Sequence, residues 1–151
     1  MHSLVRRYIK TAIAFLICGL AIGGWMIARR ELGGRVATEY EISAHTHALL
    51  VGFVMMMILG VALWLFPRPE KTDVRYRPAL VETAYWLLTL GTAIRTVGEL
   101  MRPMAAGRWL SWVIVASGFA QVAAIVVFFY TMWPRVRGVG SPAREAKGER
   151  F

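Results

Sequence analysis

Cysteine, histidine and acidic residues are scarce in this sequence, and each shortage removes a class of chemistry. The single cysteine, Cys18, stands inside an apolar run, so no disulfide framework and no thiolate metal cluster can form. It reads as a small buried hydrophobe. Nine acidic residues face 18 basic ones, for a net charge of +9. Such an excess can signal nucleic acid, but here the basic residues fall in short segments flanking apolar runs, which is the membrane pattern. No nucleic-acid partner is expected. Charged residues make up only 18% of the 151 positions and hydrophobic ones 57%, which bounds the chain to one small all-α integral membrane domain in contact with lipid.

Four apolar runs are present, at about 9–28, 45–66, 79–101 and 109–133, each long enough for a transmembrane helix. The first follows Arg6, Arg7 and Lys10 and ends on Trp25 and Arg29-Arg30. It is long for a signal peptide and lacks a small-x-small cleavage site, so a retained helix is expected. Gly19 and Gly23 within it form a small-xxx-small pair suited to a close helix contact. Residues 135–151 read as a basic, disordered tail. Four spans put both termini on one side. Lys and Arg number 12 on that side and 5 on the other, so the termini are expected in the cytoplasm.

The second run carries the chemistry. His45 and His47 open it, 19 uncharged residues follow from Ala48 to Phe66, and Pro67 closes it. At about 1.5 Å per residue that length nearly matches the ~30 Å hydrocarbon core, which puts both histidines at the outer membrane face. Two positions on a regular helix are about 200° apart, so the rings face opposite ways and cannot serve one metal from one helix. His2 lies at the other face and cannot join them. The third run holds a stripe at steps of three and four: Glu82, Tyr85, Thr89, Thr92, Thr96 and Glu99. Arg95 and Arg102 stand four before and three after Glu99, at the depth of the histidines. Two readings stay open for Arg95: it holds an anion beside the histidines, or it pairs with Glu99 as a buried ion pair. Met55, Met56 and Met57 point in three directions and read as packing rather than as a metal site.

His45 and His47, the glycines Gly52 and Gly60, and the closing Phe66-Pro67 resemble one helix of the heme-copper oxidase and nitric oxide reductase catalytic subunit. The segment is also similar to one in NnrS-type membrane heme proteins. In the oxidase family a His-x-His pair begins a helix at the periplasmic side, one imidazole facing a low-spin and the other a high-spin heme. The family subunit arranges twelve helices as three groups of four. The resemblance therefore implies a heme-copper-oxidase-like four-helix unit assembled as a homotrimer, with a dimer as the alternative, in a bacterial inner membrane. It implies heme b between subunits, iron held by His45 and His47, and propionates held by Arg95 and Arg102. Nothing in the chain matches the family's further copper-ligating histidines, so full oxygen reduction is not expected. What remains is electron transfer with a redox partner, or handling of NO or O2 as a heme-dependent oxidoreductase. The alternatives are a copper- or zinc-binding protein and a cofactor-free accessory subunit of a respiratory or nitric oxide complex.

Overall fold

The structure, a computed structural model, describes residues 3–67, 77–105, 107–136 and 148. Within them the chain forms four helices: α1 (Ser3–Gly33), α2 (Glu39–Leu65), α3 (Pro78–Met101) and α4 (Arg108–Met132), the last running into a 3-10 turn, Trp133–Arg135. Three helical stretches, Ser3–Gly33, Glu39–Leu65 and Arg108–Arg135, are long and apolar enough to cross a membrane. His2 and most of the tail lie outside the described residues.

Helices α3 and α4 match their predicted bounds within a residue. The first two are longer than expected. α1 continues through Arg29 and Arg30 and stops at Gly34, whose φ of 61° supplies the left-handed turn that ends a helix. α2 starts six residues before His45, because Thr38 and Glu41 form a capping box: the Thr38 hydroxyl accepts from the Glu41 backbone N–H, and the Glu41 carboxylate accepts from the Thr38 backbone N–H. The histidines consequently sit inside the helix, more than a turn past its start. They do not open it.

α1 packs along α2, α2 packs on α3, and α3 packs along α4, the α1–α2 and α3–α4 pairs being about equally extensive. The main core gathers Tyr8 and Ala12 of α1, Met56 and Leu59 of α2, Val81, Ala84, Tyr85 and Leu88 of α3, and Ala124, Phe128 and Met132 of α4. This cluster occupies the end of the bundle remote from the histidines. Elsewhere the usual layering is inverted. Thr92, Thr96, Glu99, Ser117 and Gln121 are buried, while Ile13, Ile17, Leu20, Phe119 and Val126 are exposed. Cys18 belongs to this outer surface: it is exposed on α1, not buried as the sequence suggests, because it falls on the face turned from α2. α3 shows the inversion within one helix. Trp86, Leu90, Ile94, Val97 and Met101 are exposed at steps of four and three, and the polar stripe is turned inward apart from Glu82. An apolar exterior over a polar interior is what a lipid solvent selects.

Candidate functional site

α2 is not a uniform helix. From His47 to Met55 it runs as π-helix, between α-helical segments Glu39–Thr46 and Met56–Leu65. The sequence reading takes this stretch as regular; the departure begins at His47 itself. There the Ser43 carbonyl accepts both the backbone N–H and the ring Nδ1–H of His47, the latter at 2.8 Å. A side chain that enters the backbone ladder in this way disturbs it locally, and π stretches are rare and recur at functional sites.

The two rings turn to different helices, as their spacing predicts. His45 Nδ1 donates to the Gly19 carbonyl of α1 at 2.9 Å. His47 lies on the α3 side, with Nδ1 2.8 Å from the Ser43 carbonyl, 3.2 Å from Ser43 Oγ and 3.6 Å from Glu99 Oε2. A backbone carbonyl only accepts, so Nδ1 of each ring is the donor, and in a neutral imidazole that leaves the lone pair on Nε2. Neither Nε2 has a hydrogen bond among the described residues.

Glu99 is the hub on the His47 side. Its Oε1 accepts from the Ser43 hydroxyl at 2.9 Å and from Arg95 Nε at 3.0 Å. Its Oε2 is buried without a hydrogen-bond partner. Arg95 reaches on to α4, where Nη1 donates to Gln121 Oε1 at 3.2 Å, and Gln121 Nε2 donates back to Thr92 at 3.0 Å. One polar network thus runs from α2 through α3 to α4. It realises the ion-pair reading of Arg95, whose Nη2 has no hydrogen bond among the described residues. Arg102 stands apart from the network: Nη1 donates to the Ala105 carbonyl at 2.9 Å, and the guanidinium lies 5.8 Å from the Tyr40 ring centroid. Among the described residues no group of three or more His, Cys, Asp or Glu side chains is placed to hold a metal ion.

Sequence reasoning missed Ser43, although it precedes His47 by four and so shares its face. It also missed the tie between the first two helices. Arg29 Nη2 donates to Glu41 Oε2 at 2.5 Å while its guanidinium lies 4.3 Å from the Trp25 ring centroid. That contact fixes the end of α1 against the start of α2, on the His45 side.

The chain belongs to the family described as Domain of unknown function (DUF8744), which it matches over residues 3–137. It is also 25% identical over 108 residues to the Cbb3-type cytochrome c oxidase subunit CcoN1 of Stutzerimonas stutzeri, a stretch covering 72% of this chain and 22% of that protein. The similarity is distant and in line with the resemblance carried by His45 and His47. No solved structure matches the chain.

Proposed function

We propose that this chain is a membrane-embedded b-type heme protein related to heme-copper oxidases, in which Nε2 of His45 and of His47 ligate heme iron. The observation that supports this reading is the state of the two imidazoles. Each has Nδ1–H committed to a backbone carbonyl and Nε2 without a hydrogen bond among the described residues, the form in which histidine ligates a metal. That donor set fits a heme.

Since one ring leans on α1 and the other on α3, with α2 between them, the two are assigned to different hemes. Each heme then lies between copies of the chain and takes His45 from one and His47 from the next. A closed homotrimer satisfies this arrangement. Arg102 and the remaining nitrogen of Arg95 would hold propionates. Heme, when bound, supplies one-electron exchange, or a seat for NO or O2 where an axial position is open. The residues around it fix the tautomer of each ring and place a carboxylate, Glu99, near His47. The topology that goes with this reading has α3 as the fourth span, admitted by its apolar outer face, with both termini cytoplasmic and the histidines toward the periplasm of a bacterial inner membrane.

The test is an optical spectrum of the chain purified from heme-replete cells. Reduced-state heme bands are expected, and they are lost on His47→Ala and on His45→Ala. Heme content unchanged in the His47 variant sinks its ligand role. The match to 22% of a longer oxidase subunit favours one second reading, an accessory subunit without heme. A colourless wild-type protein selects it, and metal analysis of that protein then separates a copper or zinc binder from a cofactor-free one.

A further inference from the structure

Three glycines fall within six positions of α1, although glycine is a poor helix residue. Their surroundings differ. A β-carbon on Gly19 would come within 2.5 Å of the Leu49 side chain. One on Gly23 would lie 2.7 Å from Cε1, 3.2 Å from Nδ1 and 3.5 Å from Nε2 of His45. One on Gly24 would meet nothing within 4 Å. Gly23 is therefore the position where a bare Cα is required by a histidine ring. The ring edge that bears both nitrogens rests against α1 there, and one turn back the Gly19 carbonyl takes its Nδ1–H. The spacing of four puts the notch and the carbonyl on one face of α1. The small-xxx-small pair, read in the sequence as a contact face for another helix, is occupied by α2 of the same chain.

We propose that Gly23 is a positioning residue for His45: it gives the imidazole a seat on α1, where the Gly19 carbonyl takes the Nδ1–H and fixes the tautomer of the ring. That Nε2 ligates iron rests on the heme reading; the seat itself does not. An alanine at 23 overlaps Cε1, and a ring that swings away to relieve the overlap leaves the Gly19 carbonyl. The tautomer is then unfixed. Second-shell losses of this kind lower metal affinity by about 10–100-fold.

The test uses the full chain in detergent micelles, with 15N-labelled histidine ring signals read without heme and heme affinity read by titration. The wild type and Gly24→Ala are expected to show His45 as the Nδ1–H tautomer. Gly23→Ala is expected to give mixed His45 tautomers and at least about ten-fold weaker heme binding. His47, seated on α3, keeps its signals and reports an intact fold. Should Gly23→Ala match Gly24→Ala in both readouts while heme binds, the seat is overturned and the heme reading stands. If the wild type takes up no heme yet Gly23→Ala still releases the His45 tautomer, the seat stands and the heme reading falls. Should Gly23→Ala not fold, Gly23→Ala/His45→Ala is expected to fold, because the ring that clashes is gone; failure of the double variant also overturns the proposal.

Discussion

At one end of the bundle Tyr8 packs edge-on against Tyr85 and Phe128, with centroids 5.1 and 6.1 Å away, over Met56, Leu59 and Met132. At the other end the same helices enclose His47, Ser43, Glu99, Arg95 and Gln121. The first end is held by shape and area. Its principal charged side chain in the interior, Arg135, donates to the Pro67 carbonyl at 2.7 Å and to those of Phe66 and Leu63 at 3.0 and 3.3 Å, so it satisfies the orphan carbonyls where α2 ends. The second end is held by charge. There a buried carboxylate keeps an oxygen without a hydrogen bond, and α2 gives up its regular ladder. Structural arginine at one end closes a helix; at the other it neutralises a carboxylate beside a histidine. The difference separates an end packed by shape from the end on which the proposed heme chemistry rests.

The largest effect should come from the apolar end. Phe128 has no exposed surface, and Phe128→Ala should cost about 3–5 kcal/mol, read from unfolding in detergent. In the fraction that remains folded, the ring signals of His45 and His47 should be unchanged. If they shift, the two ends are coupled and the separation fails.

At the polar end, Arg95→Leu removes the cation from a buried carboxylate and should cost about 1.5–3 kcal/mol. The double variant Arg95→Leu/Glu99→Leu should recover most of that loss, because a buried pair exchanged for apolar side chains is often neutral. A double variant as unstable as the single one would show that the network carries stability and is not retained for the site. One step smaller, Thr92→Val takes away only the acceptor of Gln121 Nε2, in a side chain with no exposed surface, and about 1 kcal/mol is expected.

The legibility of the sequence follows the same division. α3 is readable from its polar stripe and α4 from the length of its apolar run, with Pro78 and Gly107 marking where they begin. The start of α2 is not, since Glu39 to Ser43 is polar and only the capping box makes it helical. The opposed facing of His45 and His47 follows from helical periodicity and survives the irregular backbone. The π stretch itself leaves no periodic trace, because every residue from Ala48 to Met55 is apolar or glycine and any register suits a lipid-facing run. Arg95 with Glu99 was legible as an i, i+4 pair. Ser43, which joins that pair to His47, depends on how α2 sits on α3, and a single helix pattern does not contain it.

The smallest effect distinguishes two ion pairs of equal chemistry. Arg7 and Glu82 meet at 2.7 Å at the apolar end, with side chains 48% and 49% exposed, whereas the Arg95–Glu99 pair is buried on the carboxylate side. An exposed pair gains little over its hydrated parts, so Glu82→Gln should change stability by at most about 1 kcal/mol. That difference should shrink as salt is raised, because the pair lies within reach of mobile ions. The Arg95→Leu loss should be insensitive to salt. If Glu82→Gln proves as costly and as salt-independent as Arg95→Leu, the Arg7–Glu82 pair is shielded from water, and burial of charge is not what sets the histidine end apart.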